Sequence, residues 1–126
     1  MNYHDWHLAG YSVSDYGTRI ALHLSWDYPS EEKKQNDIQF TDVAAYHFTH
    51  SGGAIITDID ERPIGDYTEY ESEFIQTTHT QMGLRYFQKD LATYLNYLQK
   101  EGFRYWTIGS AIGFSGFIVA KNIKET

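Results

Sequence analysis

The segment from Arg19 to Trp26 alternates apolar residues with polar or small ones at a strict period of two. This pattern constrains the fold more than any other feature of the sequence. Because successive side chains of a β-strand point to opposite faces, it predicts a half-buried antiparallel strand. Less regular patterns predict further strands at residues 6–13, 38–49, 54–59, 67–77, 103–109 and 114–123.

Glycines and polar residues indicate where these strands bend or turn. Gly10 is placed to form a β-bulge, and the apolar parity slips near Thr41 and Asp42, which predicts a second bulge. The stretch 50–53 ends in two glycines and predicts a hairpin turn, since glycine readily adopts positive φ. Three later glycines predict a tight turn and close packing between two terminal strands, namely Gly109, Gly113 and Gly116.

One helix is predicted in the C-terminal half of the chain. Its apolar residues recur at spacings of three and four, at Leu84, Phe87, Leu91, Tyr94, Leu95 and Leu98. Gly102 then occupies the position where a left-handed C-terminal cap is expected. We therefore expect one amphipathic helix that packs on the sheet.

Together these patterns predict an α+β fold. About six or seven antiparallel strands would form a curved sheet or a small sandwich, with the one helix packed against it. The chain has 126 residues, of which 41% are hydrophobic. This length fits a single domain spanning residues 1–126 with an apolar core of its own.

The chain is acidic, with a formal net charge of -7, and it contains no cysteine. A negative chain matches the nucleic-acid backbone poorly, so we expect no nucleic-acid binding. The acidity is local, because residues 27–73 include 12 acidic and three basic residues, whereas residues 74–126 include three acidic and six basic ones. The lack of cysteine excludes disulfides and thiolate catalysis.

The first residues lack the basic and apolar regions of a secretory signal. The weakly polar stretch from Trp106 to Ala120 is too short, and too interrupted by glycine and serine, to cross a bilayer. We therefore expect a soluble cytoplasmic protein without membrane association.

Acidic residues and tyrosines concentrate between residues 58 and 74, and Glu69, Glu71 and Glu73 would line one face of the strand predicted at 67–77. Such a row can be a solvated face that protects an edge strand from aggregation. It can also steer a basic protein partner, or supply carboxylates for acid–base catalysis. The steering interpretation gives the candidate partner-binding residues, which are Asp58, Asp60, Glu61, Tyr67, Glu69, Tyr70, Glu71 and Glu73.

The six histidines and the C-terminal glycines match no chemical motif. His4 and His7 are three residues apart, and nothing in the chain has the dense spacing of His-Glu-x-x-His. The stretch 113–117 has Phe117 where a nucleophile elbow needs its closing glycine, and no Lys-Ser/Thr follows the glycines as in a phosphate loop. We therefore predict no bound metal and no cofactor, and we assign no catalytic residue.

Four short patterns in the first 60 residues resemble those of a group of small uncharacterised bacterial proteins. They are His4-Asp5-Trp6, Leu22-x-Leu24, Ile38-x-Phe40-x-x-Val43 and Ile56-x-Asp58-Ile59. That group is loosely similar to the immunity proteins encoded beside polymorphic toxins. The resemblance implies a small β-rich domain with a binding role, and it supplies no catalytic residue.

The leading hypothesis is therefore a non-enzymatic domain that binds a basic protein, with a toxin as one candidate partner. A structural or regulatory domain with an unknown ligand is the alternative. A small hydrolase or isomerase using the carboxylates and a histidine is a third. The oligomeric state is left open.

Overall fold

The computed structural model describes residues 1–126 as four strands, three α-helices and one short 3-10 turn at Asp15–Gly17. The strands are β1 (His7–Ser14), β2 (Arg19–Trp26), β3 (Lys34–Arg62) and β4 (Arg104–Glu125). The helices follow β3 and are α1 (Ile64–Tyr70), α2 (Ser72–Met82) and α3 (Leu91–Lys100).

All strand pairings are antiparallel, and the strand order is β1-β2-β3-β4. β2 pairs with residues 34–41 of β3, while β4 pairs with β3 from Ile38 to Arg62. A further pairing joins His7 and Leu8 to the middle of β3, at residues 54 and 55. Because β1 contacts both β2 and β3, the sheet curls around one of its faces.

β3 and β4 are far longer than the usual strand of about five or six residues, and irregularities bend them. The bulge predicted at Gly10 is confirmed, since the register shifts between Leu8 and Gly10. The bulge predicted near Thr41 and Asp42 lies slightly further along the strand, where the register shifts between Val43 and Ala45. The predicted hairpin at 50–53 is wrong, because the chain runs through these residues as a bulged continuation of β3. The two strands predicted at residues 103–109 and 114–123 likewise form a single strand, β4.

The C-terminal glycines allow β3 and β4 to approach closely along this bend, and no tight turn forms there. Gly113 has a φ of 81°, and a Cβ atom at this position would overlap the carbonyl oxygen of Gly53. A Cβ atom on Gly116 would lie against the ring of Phe48. The predicted close packing is therefore present, but inside one long strand and its partner.

The curled face of the sheet encloses the main hydrophobic core. Ile20, Leu22 and Leu24 of β2 are almost completely buried there, as the alternation predicts. They pack with buried residues of the other strands, including Ile38, Phe40, Ile56, Ile59, Trp106, Ile108 and Ile118. Most residues that carry the resemblance lie in this core, so their role in this structure is to pack the core.

The N-terminal His-Asp-Trp pattern fastens the first residues to β3. The amide of Asp5 donates to the carbonyl of Ile56 at 2.8 Å, and the amide of Ile56 donates to the carbonyl of Trp6 at 2.7 Å. The His4 ring nitrogen Nδ1 lies 3.0 Å from the carbonyl oxygen of Thr57. The Trp6 ring packs edge-on against Trp26 with centroids 6.0 Å apart. The pattern therefore has a structural role in this fold.

A second core forms where the helices cover the other face of β3 and β4. Tyr67, Ile75, Tyr94 and Leu98 from the three helices are fully buried against residues of these strands, including Phe117. This packing holds the helical segment on one side of the sheet.

The predicted helix is present but shorter than expected. It begins at Leu91, because the Asp90 side chain accepts a hydrogen bond from the amide of Thr93 at 2.8 Å and caps its first turn. Leu84 and Phe87 precede the helix, although they pack against the same core. Gly102 follows it with a φ of 80°.

The strand predicted at 67–77 is wrong, because these residues form the end of α1 and most of α2. The buried positions are Tyr67, Ile75 and Thr78, and a spacing of three between the last two fits a helical face. The fold is thus α+β with an antiparallel sheet, as predicted. It has four strands where six or seven were expected, and three helices where one was expected.

Candidate functional site

A groove of about 620 Å³ lies between the middle of β3 and the C-terminal end of α2. A second depression of about 490 Å³ adjoins it and shares four of its lining residues. We call the continuous surface the β3–α2 groove. Its residues on the sheet side include Tyr11, Val13, Tyr46 and Phe48, and on the helix side Glu71, Glu73, Phe74, Thr78 and Met82.

Three large exposed side chains with apolar surface border this groove. Tyr16 is 99% exposed, Met82 is 77% exposed and Tyr70 is 64% exposed. Single exposed apolar residues are common on proteins, but several around one concave surface are typical of an interaction site. Tyrosine and methionine are also enriched at protein interfaces.

The backbone around Tyr16 holds this side chain away from the protein. Asp15, Tyr16 and Gly17 all have left-handed conformations, with φ values of 52°, 58° and 84°. Such a conformation costs a residue other than glycine about 1–2 kcal/mol, so the neighbouring contacts must maintain it. The Thr18 hydroxyl donates to the carbonyl of Asp15 at 2.7 Å.

Arg85 connects this turn to the groove wall. Its guanidinium donates to the carbonyl oxygens of Tyr16 and Val43, each at 3.2 Å. The residue lies just after Gly83, whose φ of 76° ends α2. One side chain therefore holds together the loop after α2, the turn between β1 and β2, and β3 at Val43.

The predicted acidic row divides between two helices. Glu69 lies near the end of α1, Glu71 lies between the helices and Glu73 lies in the first turn of α2. Residues two apart on a helix do not share a face, so the predicted row on one strand face is not present. Glu71 and Glu73 nevertheless line the groove beside Tyr70, and Glu71 also accepts a hydrogen bond from the Tyr105 hydroxyl at 3.0 Å.

Asp58, Asp60 and Glu61 lie on the last part of β3 and do not line the groove. A hydrogen bond with Asp58 raises the pKa of the Asp60 carboxyl, and burial and the charge of Asp58 add to this effect. Arg104 donates two hydrogen bonds to Glu61, at 2.6 and 3.1 Å. These bonds lower the pKa of Glu61, which is therefore an ion-paired carboxylate.

Tyr67 cannot belong to a partner-binding surface, because its side chain is fully buried. Its hydroxyl is 2.9 Å from the hydroxyl of Tyr94, and its ring packs against Phe117 with centroids 5.5 Å apart. Burial raises the pKa of Tyr67 well above its ordinary value. This part of the site prediction is corrected: Tyr67 anchors α1 to the second core.

The histidines are dispersed over the fold. No three histidine, aspartate or glutamate side chains converge in a way that could hold a metal ion. His23 lies 3.0 Å from Asp37, and His47 packs against Phe74 with ring centroids 5.2 Å apart. His7 has a buried ring nitrogen, Nδ1, without a hydrogen-bond partner.

Sequence reasoning missed Tyr16, Met82 and Arg85, which define the edges of the groove. The Asp-Tyr-Gly stretch indicates a turn, but nothing local shows that Tyr16 is exposed beside a helix. Met82 and Arg85 reach the groove only because α2 packs across β3.

Protein-family models give no match to the chain, and a search of curated proteins finds no significant match. None of the three helices is long and apolar enough to cross a membrane.

Proposed function

We propose that the chain is a non-enzymatic protein-binding domain that binds a basic protein at the β3–α2 groove. Toxin immunity is the biological role we propose for this binding, because the small proteins that the N-terminal segment resembles are loosely similar to immunity proteins. The observation that carries the proposal is the concentration of exposed side chains with apolar surface, Tyr16, Tyr70 and Met82, around a groove with an acidic end.

The aromatic and methionine side chains supply the binding energy. Interface residues that contribute most are large side chains near the centre of the contact, with tyrosine among the commonest. Tyr16 adds a further advantage, because its backbone is already fixed by Arg85 and by the Thr18 hydroxyl. A contact that is ordered before binding loses less conformational entropy when the complex forms.

The charge distribution favours a basic partner. Glu71 and Glu73 lie at one end of the groove, whereas Arg85 at the other end is held by the carbonyl oxygens of Tyr16 and Val43. Complementary charge raises association rates and disfavours acidic competitors. A partner with a basic patch beside an apolar projection therefore fits this surface.

A matched pair of variants tests the proposal. Met82→Lys places a positive charge in the groove, while Ile112→Lys makes the same change at a residue that is 63% exposed and lies outside it. Both variants and the parent are used as baits in native-host extract, and the captured proteins are quantified. We expect a basic protein that binds the parent and Ile112→Lys but is lost from Met82→Lys.

Equal capture by all three baits contradicts the proposal, as does the absence of any specifically captured protein. Purified partner then gives the dissociation constant for each form. Gene neighbourhood distinguishes the biological roles, because an adjacent toxin gene supports immunity whereas an operon of metabolic enzymes favours the hydrolase alternative.

A further inference from the structure

We propose that the partner contributes an extended segment that adds as a β-strand to the unpaired edge of β3, between Ala44 and Thr49. The segment alternates apolar and basic residues. This inference rests on the proposed function and specifies how the groove binds.

The edge of β3 that faces the groove has no strand partner in this interval. Pairing with β2 ends at Thr41, and Val43 follows with its amide bonded to the carbonyl of Thr18 at 3.0 Å and its carbonyl to Arg85 at 3.2 Å. Strand pairing on this side resumes only at Ala54, where β3 pairs with β1. From Ala44 to Thr49, β3 pairs with β4 alone, on its other side. An unpaired edge presents backbone N–H and C=O groups that another strand can bond.

Two irregularities of the sheet open this edge. Asp42, with a φ of 53°, and the register shift that follows Val43 separate β3 from the end of β2. The bulge between Leu8 and Gly10 directs the rest of β1 along β2. Six residues of unpaired edge extend for about 20 Å, which is the length of an ordinary strand, although Ala44 and Ala45 at its start are buried.

The two sides of the edge differ in chemistry. On one side, Tyr46 and Phe48 pack against the main core, and Phe48 contacts Tyr11 with ring centroids 4.9 Å apart. On the other side, His47 packs against Phe74 of α2, next to Glu73. Side chains of an added strand would alternate between these two sides.

The pattern of the added segment follows from this difference. Its inward residues would contact aromatic rings, and its outward residues would face the carboxylates of Glu71 and Glu73. A second copy of this chain would bind poorly here, because each copy carries a net charge of -7 and the two copies would repel each other. A basic segment of a different protein has the required charge.

Peptide selection on the whole chain tests the mode of binding. A displayed library of random twelve-residue linear peptides serves as the probe, and the enriched peptides are synthesised. We expect enriched sequences that alternate apolar residues with Lys or Arg. Methylating the backbone nitrogen at every second position should weaken binding about tenfold per site, since each loses one hydrogen bond to β3. The intervening positions should tolerate methylation.

The variants Met82→Lys and Ile112→Lys give the location of the bound peptide. Both positions are exposed, so both variants are expected to fold, and circular dichroism verifies this. Peptide affinity should fall about tenfold in Met82→Lys through charge repulsion and stay unchanged in Ile112→Lys. In the complex, alternate amides between Ala44 and Thr49 should become protected from hydrogen exchange.

Strand addition is overturned if no alternating peptide is enriched, if methylation has no two-residue period, or if Met82→Lys binds as well as the parent. Different results would contradict the proposed function. If the host partner is lost from Met82→Lys but the peptides do not bind along β3, the groove still binds a protein, but by another mode. If Met82→Lys retains the host partner, the groove is not the binding surface.

Discussion

Removing the hydroxyl of Tyr67 tests whether the buried bond to Tyr94 stabilises the helical face. The two hydroxyl oxygens are 2.9 Å apart, and both side chains are fully buried. Tyr67→Phe retains the ring and its packing on Phe117 but leaves the Tyr94 hydroxyl without its partner. An unsatisfied buried polar group costs about 1–3 kcal/mol. We expect a loss of that size in Tyr67→Phe, and a similar loss in Tyr94→Phe.

The double variant should be much less destabilised than the sum of the two single variants. With both hydroxyls gone, no polar group is left unpaired, so its cost should be about 1 kcal/mol or less. The double-mutant cycle should therefore give a coupling free energy of at least about 1 kcal/mol.

Urea unfolding followed by tryptophan fluorescence measures these free energies. Tyr70→Phe is the matched control, because its side chain is 64% exposed and its loss of a hydroxyl should change stability by about 0.5 kcal/mol or less. Single-variant losses below about 0.5 kcal/mol, or a double variant equal to the sum of the singles, would refute the reasoning.

Three other measurements test separate parts of the account. Leu98→Ala, at a fully buried position of α3, should lower the unfolding free energy measured in urea by about 2–5 kcal/mol. Gln99→Ala, at the exposed neighbouring position, should change it little, and equal effects of the two substitutions would contradict the packing of α3. Burial raises the pKa of Tyr94 and of Tyr3 to about 12, so the unfolded chain loses these protons at lower pH than the folded chain does. The free energy of unfolding should therefore fall as pH rises from about 10 towards 12, by up to about 1.4 kcal/mol per pH unit for each group. Urea midpoints that stay constant over this range would count against the burial of these tyrosines. The double variant Glu69→Gln/Glu73→Gln should slow association with the captured partner and weaken the salt dependence of the association rate. The control Glu31→Gln/Glu32→Gln makes the same change of charge in an exposed segment and should have a smaller effect. Equal rates for the two variants in stopped-flow measurements would show that the helical acids do not steer binding.

Local patterns predict the elements whose structure depends mainly on local residues. The alternation in β2 correctly gives its buried face, because one side of that strand packs on the core and the other does not. The helical spacing correctly gives the buried residues Tyr94 and Leu98, although the start of α3 depends on the Asp90 cap. The bulge at Gly10 is also predicted.

The errors arise where two structures satisfy the same local pattern. Glycines with positive φ occur in hairpin turns and in bulges, so Gly52 and Gly53 do not reveal whether the chain reverses. Residues 67–77 alternate in polarity as a strand would. Only packing against the outer face of β4 shows that Tyr67 and Ile75 are the buried positions of helices.

The sequence predicts only the part of the candidate site that lies within one segment of the chain. Composition draws attention to the acidic tyrosine-rich region, and three of its residues, Tyr70, Glu71 and Glu73, line the groove. The rest of the groove is assembled from residues that are distant in sequence, with Tyr16 in the turn between β1 and β2 and Met82 at the end of α2. No spacing rule relates such positions, because the curl of the sheet and the crossing of α2 bring them together.

Hydrogen exchange on the complex with the captured partner is the most direct test of the β3–α2 groove as the binding surface. Binding should slow exchange at residues 44–49 of β3, at the end of α2 around Met82 and at the turn around Tyr16. Residues 58–61, which lie outside the groove, should exchange at the same rate with and without partner. Protection centred on Asp58, Asp60 and Glu61, with residues 44–49 and Met82 unchanged, would show that the partner does not bind at the groove.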